Sequence, residues 1–160
     1  MAKAVHENSL DDDNRKFVPD EVFETEKDAE EAIKFLMSQY SSEGGPLVYP
    51  VFTKTNENIG YVQLVPIEEG REIGYHIAKK YTGNGYATEA VLAFLPVIAE
   101  KKSLSEIYGI CLKENIASVR VMEKCGFENL YSGPGEYQGE TREIVKNIYR
   151  KNELPEKRSE

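Results

Sequence analysis

The residues best suited to chemistry lie in the stretch Glu72–Ala93, where two ionisable side chains precede a short glycine loop. Glu72 and His76 lie within an apolar run with aromatic and β-branched residues, which is typical of a buried strand. The loop Thr82-Gly83-Asn84-Gly85 follows, and its glycines can adopt positive φ. From Tyr86 onward, small and apolar residues recur at helical spacing. The sequence therefore predicts a strand, a loop and a helix in that order.

A glycine loop that opens directly into a helix is suited to binding an anion. The first backbone N–H groups of a helix have no partner within it, and the positive end of the helix dipole lies there. Asn84-Gly85 is also a strong signal for a β-hairpin turn, but the residues after it favour a helix over a second strand. We therefore expect the glycine loop and the start of this helix to bind phosphate oxygens through backbone N–H groups.

Two side chains of the predicted strand could act as a general base. Glu72 is the first candidate, acting directly or through a water molecule, and His76 is the alternative because its imidazole titrates near neutral pH. Cys111 could in principle form a covalent acyl intermediate, but no histidine partner is indicated for it. We expect Cys111 to be a small buried residue.

Composition limits the classes of function. The chain has 160 residues, enough for one domain with a substantial core, and we expect residues 1–160 to form a single domain. The net charge is −8 and no basic stripe is visible, which argues against nucleic-acid binding. Cys111 and Cys125 lack metal-ligand spacing, so we expect no metal site. Without a signal-peptide pattern or a long apolar run, we expect a cytoplasmic protein that does not bind membranes.

The remaining elements form a framework around this stretch. The patterns predict helices over residues 25–41, 86–102 and 115–124, and strands over residues 47–53, 59–67, 72–78, 103–112, 127–131 and 142–149. Pro96 is expected to kink or divide its helix, and Gly133-Pro134-Gly135 to form a turn. We expect a solvated turn or helix start within residues 1–20 and a frayed tail at residues 152–160. The order indicates an α/β (α+β) fold, a mixed sheet with helices on its faces.

Two motifs make the chain resemble the GNAT superfamily of acyl-CoA N-acetyltransferases, and in particular the branch that includes the ribosomal-protein N-terminal acetyltransferases. The acyl-CoA signature of that family, Q/R-x-x-G-x-G/A, falls on residues 80–85 as Lys80-Tyr81-Thr82-Gly83-Asn84-Gly85. The flanking segments Glu72–Tyr75 and Gly85–Ala90 have the form typical of the branch. The second motif is Asn115–Phe127, with an asparagine, a serine, an arginine and a Gly-Phe pair at the family's spacing.

The resemblance implies a mostly antiparallel sheet splayed at the acyl-CoA site and direct transfer of an acetyl group from acetyl-CoA to a primary amine. The acceptor would be a protein N-terminus or a small molecule. Glu72 would act as the base, and the backbone N–H near Ile77 would polarise the thioester carbonyl. Acetyl-CoA, as the acyl donor, would be held by Ile77, Ala78, Thr82, Gly83, Asn84, Gly85, Tyr86, Ala87, Thr88, Asn115 and Ser118.

The chain departs from the family pattern at three places. Lys80 stands where most relatives have glutamine or arginine. Met122 stands at the position of a tyrosine that many relatives use as general acid, so the alternative is an acyl-CoA-binding protein of the same fold with little or no transferase activity. The family's first strand is not recognisable before Thr25, so it is missing or diverged. Exposed edge strands would also allow a homodimer.

Overall fold

The computed structural model describes residues 1–151, so the predicted tail at residues 152–160 lies outside the described residues. Its centre is a six-stranded sheet with the strand order β1-β2-β3-β4-β6-β5. Every neighbouring pair is antiparallel except β3 and β4, which run parallel. This confirms the predicted mixed, mostly antiparallel sheet. The strands are β1 (Leu47–Phe52), β2 (Asn58–Ile67), β3 (Gly70–Ile77), β4 (Glu106–Leu112), β5 (Glu128–Tyr137) and β6 (Glu140–Arg150).

Five α-helices accompany the sheet in the described chain. They are α1 (Ala2–Ser9), α2 (Asp12–Phe17), α3 (Glu26–Ser38), α4 (Tyr86–Lys101) and α5 (Ile116–Lys124), and single 3₁₀ turns lie at Pro19–Glu21, Gln39–Ser41 and Lys79–Tyr81. The start of α3 was readable from sequence, because Thr25 and Asp28 form a capping box. Of the two outcomes expected within residues 1–20, a solvated turn or a helix start, the structure has the helix start, since the Asp11 side chain caps α2. No strand precedes β1 in the described residues.

Helix α4 is not divided at Pro96, contrary to one of the two outcomes expected for it. Pro96 faces solvent, so the Leu92 carbonyl that loses its partner can be hydrated. The neighbouring residues Leu95, Ile98 and Ala99 are buried in the core and hold the helix against the sheet.

The predicted turn at Gly133-Pro134-Gly135 is wrong, because these residues lie within β5. β5 is the outermost strand of the sheet, and an edge strand tolerates a proline. Gly135 also leaves room for the Ile144 side chain of β6, which a Cβ at position 135 would meet. The chain reverses instead at Gln138 and Gly139, both of which have positive φ.

Alternation along β2 and β3 assigns the two faces of the sheet. Val62, Leu64 and Ile73 point into the main core together with residues of α4 and α5. The intervening residues point to the other face, where α1 to α3 lie. There Gln63 donates a hydrogen bond to Glu21, and His76 lies 3.6 Å from Asp11. Glu72 belongs to this second face, beneath the N-terminal helices.

Candidate active site

The sheet opens between β3 and β4. The two strands share a single registered pair, Glu72 with Tyr108, and none closer to Ile77 and Leu112, where the strands end. The Ala78 N–H donates to the Ile59 carbonyl at 2.8 Å, on the β2 side. Because N–H groups alternate along an antiparallel strand, those of Tyr75 and Ile77 face the opening. This gap therefore offers backbone groups that β4 does not pair with.

The glycine loop lies just beyond the end of β3. Gly83 has φ 81° and Gly85 has φ 79°, conformations that non-glycine residues adopt only with strain. Asn84 Nδ2 steadies the loop by donating to the carbonyls of Tyr81 and Thr82, at 3.1 and 3.2 Å. Gly85 is the N-cap of α4, and no side chain caps that helix. The first N–H groups of α4 are thus directed at an exposed loop, as an anion site requires.

Helix α5 begins opposite the end of β3. Asn115 caps it, since its Oδ1 accepts a hydrogen bond from the Ser118 N–H at 3.2 Å. The Ser118 hydroxyl lies 2.8 Å from the Tyr75 hydroxyl, which also lies 3.0 Å from the Ser118 carbonyl oxygen. Two hydroxyl groups are therefore fixed to each other across the opening between β3 and α5.

Two cavities meet at this point. The first, here the cofactor cavity, has a volume of about 180 Å³ and lies against Ile77, Thr82, Ala87 and the start of α5. The second, here the acceptor cavity, has a volume of about 400 Å³ and lies against Glu72, Ile110 and Tyr137. The residues common to both are Phe17, Val18, Tyr75, Asn115 and Ser118. The two cavities therefore adjoin along these five residues, and together they are called the passage from the glycine loop to Glu72.

The passage is roofed by the end of α2. The backbone carbonyl of Phe17 accepts hydrogen bonds from Tyr137 Oη at 3.0 Å and from Gln138 Nε2 at 3.4 Å. Lys16 forms an exposed ion pair with Glu114, at 3.5 Å. The tip of the β5–β6 hairpin is therefore joined to the N-terminal segment above the acceptor cavity.

Glu72 is the most strongly perturbed carboxyl group of the acceptor cavity. Burial, assisted by the nearby negative charge of Glu69, raises the pKa of Glu72 to about 7. The backbone amide of Ile110 and the ammonium group of Lys146 act in the opposite direction and do not outweigh burial. A carboxyl group with a pKa near neutral can both accept and release a proton at physiological pH.

His76 and Cys111 are less suited to the chemistry considered for them. His76 lines the cofactor cavity and not the acceptor cavity, and burial lowers its pKa despite the opposing charge of Asp11. Cys111 lines the acceptor cavity but is buried, as expected. Burial also raises the pKa of the Cys111 thiol, which lowers the fraction of reactive thiolate.

The other expected site residues divide into two groups. Ile77, Thr82, Ala87, Asn115 and Ser118 line the cofactor cavity directly. Ala78, Gly83, Asn84, Gly85, Tyr86 and Thr88 lie on the loop and helix start beside it. Met122 is buried against Gly109, and its sulfur accepts a hydrogen bond from Asn147 Nδ2 at 3.0 Å, so it carries no proton for catalysis.

The structure adds four polar residues that sequence patterns did not single out. Tyr75 lies between the two cavities, and Glu21, Gln63 and Glu136 line the acceptor cavity. Glu21 and Gln63 are 42 positions apart in the chain, so no local pattern could join them. Alternation along β2 and β3 could have placed Gln63 on the same face as Glu72, but not Glu21 above it.

Comparison with known proteins agrees with this geometry. A family profile described as "Acetyltransferase (GNAT) domain" matches residues 2–128. The "Uncharacterized N-acetyltransferase YnaD" of Bacillus subtilis is 32% identical over 127 residues, which cover 78% of this chain and 71% of that protein.

Solved structures share the fold. A GNAT-family acetyltransferase from Bacillus anthracis is 28% identical and superposes with a TM-score of 0.77, covering 93% of this chain and 88% of that one. An acetyltransferase from Salmonella typhimurium that modifies the N-terminal serine of ribosomal protein L7/L12 has the same TM-score, 0.77, over 94% of this chain and 90% of its own. Its identity of 17% shows the fold alone.

Two further features of residues 1–151 concern membranes and metal ions. None of the helices there has the length and apolar content needed to cross a membrane. Within the same residues, no group of three or more histidine, cysteine or acidic side chains is arranged to hold a metal ion.

The splayed sheet and the uncapped glycine loop agree with the family match. The chain belongs to the GNAT family of acetyltransferases and transfers an acetyl group from acetyl-CoA to an amine.

Proposed function

We propose that this chain acetylates a primary amine by direct transfer, with Glu72 as the general base. The observation that carries the proposal is the position of Glu72. It is a half-buried carboxyl group with a pKa of about 7, and it lines a cavity that adjoins the cofactor cavity. Direct transfer requires a neutral amine, and Glu72 can accept the proton that the amine loses.

The residues present fit acetyl-CoA, which supplies an activated thioester carbonyl carbon when bound. The uncapped start of α4 and its positive-φ glycines suit the pyrophosphate, and the open backbone edge of Ile77 suits the pantetheine arm. The Ile77 N–H is the natural polariser of the thioester carbonyl. The proposed cofactor-binding set is Ile77, Ala78, Thr82, Gly83, Asn84, Gly85, Tyr86, Ala87, Thr88, Asn115 and Ser118.

The leaving thiolate also needs a proton, and Met122 cannot supply one. We assign this role to the Ser118 hydroxyl, which lines both cavities where they meet. The Tyr75 hydroxyl, 2.8 Å away, holds the Ser118 side chain in position, and water returns the proton that Ser118 gives to the thiolate. Burial raises the pKa of Tyr75, so its hydroxyl stays protonated at neutral pH.

The test measures thiol release from acetyl-CoA across a panel of primary amines and N-terminal peptides, with wild type, Glu72→Gln and Glu136→Gln. We expect Glu72→Gln to lower kcat by about 100-fold or more while CoA affinity stays near that of wild type. Glu136 lines the same cavity but is exposed, so Glu136→Gln is expected to have the smaller effect. A larger loss in Glu136→Gln would move the role of base to that residue.

The same assay tests the alternative, an acyl-CoA-binding protein of this fold with little or no transferase activity. Met122 is the residue that motivates it, because it stands where many relatives have a tyrosine. Tight CoA binding without thiol release on any amine would favour this alternative. Turnover of a single amine above the rate of the Glu72→Gln variant would exclude it.

We also propose that the protein acts in the cytoplasm and that a homodimer can form. Cys111 and Cys125 are buried free thiols, which suits a reducing compartment.

The proposed homodimer rests on the edge of the sheet. β1 pairs only with β2 in the described chain, so this edge of the sheet has no neighbouring strand. Cell fractionation tests the first proposal, and sedimentation equilibrium tests the second.

A further inference from the structure

The acceptor cavity is negatively charged. Three of its lining side chains are glutamates, Glu21 from the 3₁₀ turn, Glu72 from β3 and Glu136 from β5. None of the residues that line it, all within the described chain, is lysine or arginine. The basic groups that act on Glu72 and Tyr137 are each paired with another carboxylate, since Lys146 pairs with Glu69 at 2.7 Å and Arg142 with Glu114 at 2.9 Å. The position of this cavity next to the cofactor cavity does not depend on this charge.

Glu21 is held in a fixed position. Its Oε1 accepts a hydrogen bond from Gln63 Nε2 at 2.9 Å, whereas Oε2 makes none within residues 1–151. Gln63 can lie across β3 because residue 74 is a glycine. A Cβ at Gly74 would come within 2.6 Å of Gln63 Nε2 and 2.8 Å of its Cγ. The strand therefore leaves room for the amide that orients Glu21, and one carboxylate oxygen is left to accept a bond from a ligand.

The charge of Glu21 acts on the catalytic end of the same cavity. It contributes to raising the pKa values of both Glu72 and Tyr137. Burial raises the pKa of Glu21 itself, so its negative charge has little solvation of its own. A cation placed beside Glu21 would relieve this unfavourable state and the repulsion between Glu21 and Glu72.

We propose that the acceptor carries a second cationic group, and that Glu21 binds this group while the reacting amine faces Glu72. Glu21 would thus determine specificity without taking part in the transfer. The inference rests on the proposed function, since it assumes that the amine enters the acceptor cavity. The shared chemistry is an ammonium or guanidinium group a short distance from a primary amine, which a small diamine or a basic N-terminal peptide can each provide.

The experiment compares matched acceptors that differ only in the second charge. For small molecules the pair is 1,4-diaminobutane and butylamine, and for peptides it is two N-terminal sequences with lysine or glutamine at the second position. We expect wild type to prefer the doubly charged member of at least one pair by about tenfold in kcat/KM, mostly through KM. Whichever pair shows the preference identifies the source of the cation.

Glu21→Gln tests the residue, because a glutamine can still accept the hydrogen bond from Gln63 and keep the turn in place. It should abolish the preference, because kcat/KM falls by about tenfold more for the doubly charged amine than for the singly charged one. The control is Asp20→Asn, which removes a charge from the neighbouring exposed position outside the cavity and should retain the preference. If Glu21→Gln lowers kcat/KM equally for both members of a pair, Glu21 only anchors the turn and the proposal is overturned. The absence of any preference in wild type would also overturn it.

Failure of the proposed function can be distinguished from failure of this inference. If no amine is acetylated, calorimetric titration of the protein–CoA complex with 1,4-diaminobutane and with butylamine still measures binding in the cavity. Tighter binding of the diamine that Glu21→Gln abolishes would support the inference without any turnover. Equal or undetectable binding of both amines would overturn it.

Discussion

The hydroxyl group of Tyr137 donates a 3.0 Å hydrogen bond to the backbone carbonyl of Phe17, 120 residues earlier in the chain. This bond joins the β5–β6 hairpin to the N-terminal segment directly above the acceptor cavity, which both residues line. Burial, together with the negative charge of Glu72, raises the pKa of Tyr137 to about 12, so the hydroxyl remains a donor at physiological pH. The roof of the active site thus depends on a contact between opposite ends of the chain.

Replacing Tyr137 with phenylalanine removes this bond and keeps the ring. We expect the KM for the acceptor to rise several-fold, because the Phe17 segment would no longer be fixed above the cavity. CoA affinity should change little, and the free energy of unfolding should fall by about 1 kcal/mol. Steady-state kinetics and urea denaturation measure these effects.

Tyr131→Phe is the matched control for this change. The Tyr131 hydroxyl also donates to a backbone carbonyl, that of Pro134 at 2.7 Å, but the bond stays within the exposed strand β5. We expect near-normal acceptor kinetics in this variant. Equal effects of the two substitutions would mean that the contact with Phe17 has no special role.

This contact also shows where sequence reasoning stops. The strand, glycine loop and helix around Gly85 and the cap at Asn115 are local patterns, and the structure has them as predicted. The roof is different, because α2 and the Pro19–Glu21 turn are positioned by partners far away in sequence, namely Tyr137 and Gln63. No period or motif in residues 1–20 indicates those partners.

The perturbed carboxyl group makes protein stability depend on pH. The pKa of Glu72 rises from 4.5 to about 7 on folding, so the folded state favours the protonated form. Its contribution to stability is complete below about pH 4.5 and is lost as pH rises to about 7. Between these two pH values, the contribution of Glu72 to the free energy of unfolding changes by at most about 3 kcal/mol. Burial also raises the pKa of Glu21, so the comparison must be made against a variant that changes Glu72 alone.

Glu72→Gln provides that comparison, since a glutamine stays neutral throughout. We expect the free energy of unfolding of the variant relative to wild type to increase between about pH 5 and pH 8. Urea denaturation at several pH values measures this difference in stability. As pH increases, the kcat/KM of wild type should also rise, with an apparent pKa near 7. Parallel stability curves for the two proteins would contradict a raised pKa at Glu72.

The conformation of the glycine loop predicts that a substitution within it weakens cofactor binding. Gly85 has φ 79°, and an alanine there would be strained by about 1–2 kcal/mol although no atom lies within 4 Å of its Cβ. Relief of that strain would turn the first N–H groups of α4 away from the phosphates. We expect Gly85→Ala to weaken CoA binding by about tenfold in calorimetric titrations. Gly44→Ala serves as control, since that position is equally open and has no positive φ.

The proton for the leaving thiolate gives the last prediction. Ser118→Ala removes the hydroxyl group that we propose as the proton donor. The cap of α5 stays intact, because Asn115 Oδ1 accepts its hydrogen bond from the Ser118 backbone N–H. We expect kcat to fall by about 100-fold while CoA affinity falls much less, and Tyr75→Phe to have a smaller effect on kcat because Ser118 remains. Ser105→Ala, at an exposed position, should behave as wild type. A donor thioester with a more acidic thiol needs less protonation, so the loss in Ser118→Ala should shrink with it. A loss that stays the same with both donors would assign Ser118 to binding geometry and leave the proton to another group.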